Sequence, residues 1–242
     1  MKYPQNLYNK ILNAVNLMDK RISIEHRNAV TCAVEHLQAS GVISIPTDTV
    51  YGLACNALNQ KAIHKLYDIK GRSEHKPLAI CLGRVSDLNR WAKINHLPTN
   101  LLNSLLPGPV TLVLECTSVL DKSLKPDSGK VGIRIPDNQF VQNVLSLVNY
   151  PLALTSANAS GEPSSLNVEE FESLWPYLNG IFDAGPLGFD DSQRAASTVI
   201  DLASMGSFKI LRHGISSHKI IQILNAHGLH EAINSCEISK SV

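Results

Sequence analysis

Two hydroxyls and a carboxylate follow a proline in Pro46-Thr47-Asp48-Thr49-Val50-Tyr51-Gly52. Placed after an apolar stretch, such groups can orient a small polar ligand. They can equally close a turn by bonding their own backbone. A second cluster, Lys70-Gly71-Arg72 with Lys76-Pro77, puts three cations within seven residues. Lysine as a point charge and arginine as a planar fork can grip a polyphosphate, while cations at a helix C-terminus complement its dipole without any ligand. The third cluster is Leu154-Thr155-Ser156-Ala157-Asn158-Ala159-Ser160-Gly161. Its small hydroxyl and amide groups offer donors and acceptors close to the backbone, and the same residues are turn formers. Arg134 lies inside the apolar stretch Gly132-Ile133-Arg134-Ile135-Pro136, where an unpaired cation is costly. It therefore reads as a structural salt bridge or as a carboxylate-binding arginine. Arg212 and Ser197, at the ends of two further apolar stretches, are weaker signals. Taken together, these groups suit an anionic nucleotide plus an amino acid.

The elements that would position them alternate between helix-like and strand-like patterns, which predicts an α/β or α+β layer architecture. Residues 27–39 and 60–70 carry apolar residues at helical spacing, with Gly41 and Gly71 placed to end them in left-handed conformation. A last helix begins at a Ser216 or Ser217 cap and stops near Gly228. About seven strands are expected, at 42–46, 78–82, 110–114, 131–135, 152–155, 198–202 and 208–211. Most are apolar at consecutive positions, which implies a sheet buried on both faces. A single domain is expected over 26–228, with an N-terminal extension at 1–25 and a loose tail at 229–242.

Composition narrows the function classes. The 242 residues are 44% hydrophobic and 18% charged, which excludes wholesale disorder and fibrous repeats. Lys plus Arg is 22 against 21 for Asp plus Glu, whereas a protein that wraps a nucleic acid backbone would be far more basic. Five scattered cysteines without C-x-x-C read as reduced thiols of an intracellular protein. Neither a zinc motif nor a standard phosphate loop is present, and no apolar run approaches the length of a membrane span. Residues 1–21 are basic and amphipathic, which reads as a packing helix or, more weakly, a transit peptide. The expected location is cytoplasmic, with a mitochondrial share left open.

The three clusters, with Pro107-Gly108-Pro109-Val110-Thr111, Val131-Gly132-Ile133-Arg134-Ile135-Pro136 and Ser197-Thr198-Val199, make six blocks in order. In that series the chain resembles the YrdC family, the threonylcarbamoyl-AMP synthases, over roughly residues 30–215, and its wording is nearest the animal members. The resemblance implies a twisted sheet of mixed parallel and antiparallel strands, with helices around a large positive cavity. It also implies a nucleotidyltransferase that converts L-threonine, bicarbonate or CO2, and ATP into threonylcarbamoyl-adenylate and pyrophosphate. Mg²⁺ would arrive with ATP, with no protein metal ligands identified. tRNA would be reached indirectly, through a threonylcarbamoyl transferase complex acting beside the anticodon.

Residue by residue, the resemblance implies that Lys70 and Arg72 hold ATP phosphates and carry catalysis, assisted by Lys76. Ser156 and Asn158 would meet the nucleotide, with Ser164 and Arg212 as further ATP contacts. Thr49 would orient threonine, Arg134 would pair with its carboxylate and Ser197 would close the amino-acid end. Two positions depart from the family pattern. Cys81 stands where some members place a histidine near threonine, and Lys130 stands where a hydroxyl is common and would add a phosphate contact. Loop 185–196 is the expected cover. The rival readings are a non-catalytic module binding tRNA or double-stranded RNA, and a carbamoyltransferase-like domain.

Overall fold

Apolar stretches too short to form helices find partners on both edges and become strands, as the computed structural model shows for residues 20–71, 78–118, 124 and 129–232, the part of the chain described. The strands are β1 (Arg21–Ser23), β2 (Ile43–Ile45), β3 (Gly52–Asn56), β4 (Ala79–Cys81), β5 (Val110–Glu115), β6 (Lys130–Arg134), β7 (Leu152–Ser156), β8 (Gly180–Asp183), β9 (Thr198–Asp201), β10 (Ser207–Arg212) and β11 (His230–Glu231). They form a mixed sheet in the order β1-β8-β2-β3-β7-β4-β6-β5-β9-β10-β11. Four α-helices of nine residues or more accompany them among the described residues: α1 (Ala29–Gln38), α2 (Gln60–Lys70), α3 (Gln139–Leu147) and α4 (Ser217–Ala226). Among the described residues, none is long and apolar enough to cross a membrane.

The seven expected strands are all present, and four more join them. Gly52–Asn56 consists of small residues and reads as part of a turn motif, yet it is a full strand because β2 and β7 pair with it antiparallel on its two sides. β8 is short and sits between β1 and β2 in parallel. β1 and β11 are edge strands with exposed residues and no readable period. Two expected boundaries shift accordingly. Arg21–Ser23 pairs with β8, and Arg21 donates to Asp183 at 2.9 and 2.7 Å, so the folded unit starts before residue 26. At the other end Leu229 is buried and β11 pairs with β10, so the chain stays on the sheet past 229. The remainder of both expected extensions, 1–19 and 233–242, lies outside the described residues, as do Arg72 and Lys76.

Helix ends follow local chemistry. The Asn59 side chain caps α2 by accepting from the Ala62 N–H, and Gly71 ends that helix at φ 59°, a conformation that costs glycine little. After α1 it is Ser40, not Gly41, that turns left-handed, at φ 62°. Gly41 is required for space instead, because a Cβ there would lie 2.6 Å from the His36 carbonyl oxygen.

The core has two sides. On one face, Leu37 of α1 and Val141 and Val144 of α3 pack on Ile43, Ile45, Leu152 and Phe182. On the other, Ile63 and Leu66 of α2 and Ile220 and Leu224 of α4 belong to the cluster containing Leu53, Ile80, Leu112, Ile133 and Ile200. Each fully buried side chain of this size contributes about 1.5–3 kcal/mol. The α1–α3 layer stops short of β6, β5 and β9, whose residues on that face (Gly132, Val113, Val199, Asp201) stay partly exposed. The site lies there.

Candidate active site

Strand register arranges the floor of a cavity of about 560 Å³. Leu154, Ala79, Gly132, Val113 and Asp201 sit side by side across five strands, and Arg134, Thr111 and Val199 form the next row. Ala79 and Gly132 keep that floor low. A Cβ on Gly132 would meet Thr111 Cγ2 at 3.3 Å and Ala79 Cβ at 3.5 Å.

Arg134 ends β6 with its side chain largely buried, and Nη2 alone makes three bonds. It donates to Asp48 Oδ1 at 2.6 Å, Thr49 Oγ1 at 2.7 Å and Thr47 Oγ1 at 3.1 Å. The loop after β2 is shaped to receive it. Thr47 Oγ1 donates to the Val50 carbonyl at 2.7 Å and accepts from the Thr49 and Val50 N–H groups. Turn and ligand-orienting loop are thus one object. Both readings of Arg134 are accommodated too, because the salt bridge uses Nη2 while the residue lines the cavity. Arg134 Nε and Asp48 Oδ2 are buried without a hydrogen-bond partner.

Lys70 reaches Ser156 from the end of α2. Its Nζ donates to the Ser156 carbonyl at 2.6 Å, Ser156 Oγ at 3.1 Å and Asn158 Oδ1 at 2.7 Å. The Asn158 amide faces one way because Nδ2 donates to the Ala159 and Glu162 carbonyls. The Ser160 N–H closes the loop onto the Lys70 carbonyl at 3.0 Å. Ser156 lines the first cavity, and Lys70 lines a second, of about 830 Å³, with Lys65, Ser160 and Tyr177.

The opposite wall carries Ser197. Its Oγ lies 2.9 Å from Thr111 Oγ1, and Arg212 donates to both its carbonyl (2.8 Å) and its Oγ (3.1 Å). Lys130 forms an ion pair with Asp201 at 2.6 Å. Tyr51 closes the lining near β8, donating to the Gly185 carbonyl at 2.7 Å and accepting from the Ala184 N–H at 2.8 Å. Burial holds its phenol well above the usual range, so it stays neutral.

Several expectations change. Cys81 does not line the cavity. It neighbours Arg134 in register but packs into the α1–α3 core, where burial pushes its thiol up to about 12 against the pull of Arg134. Ser164 lines neither cavity, and its carbonyl is bonded by Arg194 at 2.9 Å. Thr49 stands behind Arg134, and Thr47 lines the cavity in its place. Of loop 185–196 only Ala196 reaches the lining. Arg194 ties the preceding turn down through Glu170 and Asp191, and that bond holds Glu170 below the usual carboxylate range. The sequence reading missed Thr111, Tyr51 and Asp201. Thr111 and Tyr51 could have been found, as each lies inside one of the six blocks.

No group of three or more His, Cys, Asp or Glu among the described residues could hold a metal ion, and the cavity lining carries a single carboxylate, Asp201. These residues do not fit a resident Mg²⁺ site.

The profile of the Sua5/YciO/YrdC family, described as "Telomere recombination", matches residues 35–214. The chain belongs to that family. It is 50% identical over 210 residues to the threonylcarbamoyl-AMP synthase of Bos taurus, covering 86% of this chain and 76% of that one. It is also 50% identical over 198 residues to the threonylcarbamoyl-AMP synthase of Homo sapiens, covering 81% and 71%. Among solved structures, P. abyssi Sua5 complexed with L-threonine superposes with a TM-score of 0.72 at 27% identity, covering 92% of this chain and 64% of that longer one. The fold of the Sua5/YciO/YrdC family is therefore this chain's fold, a mixed sheet as the resemblance implied, with more strands than periodicity revealed.

Proposed function

We propose that this chain is an L-threonylcarbamoyladenylate synthase. It converts L-threonine, bicarbonate or CO2, and MgATP into threonylcarbamoyl-AMP and pyrophosphate in the cytoplasm. A transferase complex then carries the threonylcarbamoyl group to the adenosine beside the anticodon of tRNA. The observation that carries the reading is the convergence of Arg134, Ser156 and the Ser197–Arg212 pair on one cavity, with Lys70 donating to Ser156. Support also comes from the relatives' names.

Catalysis here is positioning and charge neutralisation. Arg134, held in place by Thr47 and Thr49, receives the threonine carboxylate, with Ser197 at the far side of the amino acid. The amine adds to CO2: the C–N bond forms as one C=O π bond breaks and its electron pair moves onto oxygen, giving a carbamate. The proton released from the amine leaves to solvent. A carbamate oxygen then attacks the α-phosphorus. The new O–P bond forms as the α–β bridging P–O bond breaks, and that electron pair leaves on pyrophosphate. Lys70 and Ser156, with Arg72, Lys76 and Arg212, offset the negative charge of two anionic reactants. An RNA-binding module is less well supported, because Lys70 and Arg134 are buried and a duplex backbone is gripped by exposed cations.

The test is pyrophosphate release from ATP, Mg²⁺ and bicarbonate with and without L-threonine, with serine and glycine as controls. Threonine-dependent release with an adenylate product is expected. No release from the folded protein would overturn the reading.

A further inference from the structure

Three described residues other than glycine have positive φ: Ser40, Asn100 and Ala196. Ser40 and Asn100 are polar and sit in turns. Ala196 is buried, and at φ 56°, ψ −155° it holds a backbone conformation that belongs essentially to glycine. Such strain persists only where the surroundings over-determine it, and here they do. The Ala196 carbonyl accepts from the Ile215 N–H at 3.1 Å, and the Thr198 N–H donates to the Pro109 carbonyl at 3.0 Å. Gly214 presses on the same stretch, because a Cβ there would lie 2.6 Å from the Ala196 carbonyl oxygen and 2.3 Å from the Thr198 nitrogen.

The strained residue adjoins the cavity. Ala196 and Ser197 both line it, and Ser197 Oγ is held between Thr111 and Arg212. Ala196 belongs to neither of the two large cores. It clusters with Val50 and Leu166. Val50 is tied through its carbonyl and its N–H to Thr47 Oγ1, which also accepts from Arg134. The small apolar cluster therefore joins the Ser197 wall to the loop that holds Arg134.

We propose that Ala196 is a positioning residue for the amino-acid substrate: its strained backbone and anchored methyl fix the Ser197 hydroxyl relative to Arg134. This assignment rests on the amino-acid reading of the cavity above and adds what sets the spacing between its two ends. Glycine would hold the same φ without cost. It would also free the 196–197 peptide to turn elsewhere, so that Ser197 is competent for only part of the time.

Ala196→Gly is the test. The urea midpoint of the full chain is expected to hold or rise, although deleting a buried methyl ordinarily lowers it. Calorimetric binding of L-threonine should weaken about fivefold, as when the competent conformation falls to about a fifth of the population. The KM for threonine in pyrophosphate release rises in step, while the KM for ATP holds. Val50→Ala loosens the same cluster without relieving the backbone, so it should weaken threonine as well but lower the midpoint. Unchanged threonine binding in Ala196→Gly overturns the proposal. A lowered midpoint, or an equal rise in both KM values, also overturns it, leaving an ordinary packing site. Failure of wild type to bind threonine would instead overturn the amino-acid reading, and this one with it.

Discussion

Strand β6 carries an ion pair at each end, Arg134–Asp48 and Lys130–Asp201, both with nitrogen–oxygen contacts of 2.6 Å. Distance does not distinguish them, but burial does. The Arg134 and Asp48 side chains are 8% and 10% exposed, against 34% and 18% for Lys130 and Asp201. A buried charge must be matched by nearby groups, which is why Arg134 also collects Thr47 and Thr49 and why the loop after β2 folds around it. The half-exposed pair shares its charge with solvent and needs only one backbone N–H besides itself. One pair therefore belongs to the buried framework, and the other stays open to solvent.

The sharpest way to break that comparison is Arg134→Ala. It leaves Asp48 buried without its cation, so a loss of about 3–5 kcal/mol is expected, read as a lowered midpoint in urea denaturation. The KM for threonine rises far more than that for ATP. Arg134→Lys refines the result, because it keeps the charge and loses the planar fork. It should recover much of the stability and little of the threonine affinity. Equal effects of Arg134→Ala on both substrates would move this residue to the phosphates.

Lys70→Ala comes next. Pyrophosphate release should fall by about two orders of magnitude or more, because stabilisation of transition-state charge is lost. The sequence alone places Lys70 at a helix end, where its removal is expected to leave the fold intact. In the structure it is 4% exposed and holds Ser156 and Asn158, so a further loss of about 1–3 kcal/mol is expected from acceptors left unsatisfied. Full stability combined with lost activity would mean that the 156–160 loop holds its shape without the lysine.

Lys70 also shows where sequence reading succeeds and where it stops. Helix 60–70, its left-handed Gly71 and the seven strongly apolar strands were legible, because periodicity and turn chemistry are local. Gly52–Asn56 was not, since small residues form a strand only when β2 and β7 supply both ladders. The site was legible as six blocks, with Arg134, Ser156, Ser197 and Arg212 all at the cavity. Register and loop direction were not, and they decide that Thr47 rather than Thr49 lines it and that Cys81 falls in the core. Asp201 escaped notice because a carboxylate ending a strand has no signature until the fold places it across β5 from Lys130.

The smallest effect is expected for the stability of Lys130→Ala, and it tests the comparison from its weak end. Pairs this exposed contribute about 0.2–1 kcal/mol, and Asp201 would keep the Ala203 N–H and gain water in place of the ammonium. The denaturation midpoint should therefore move by only a fraction of the shift seen for Arg134→Ala, and added salt should narrow even that difference, because screening acts on exposed charges and hardly on buried ones. Arg134→Ala should keep its full deficit at the same salt. If Lys130→Ala were as damaging as Arg134→Ala, burial would not be what separates the two ends of β6, and the Lys130–Asp201 pair would belong to the framework as much as Arg134–Asp48 does.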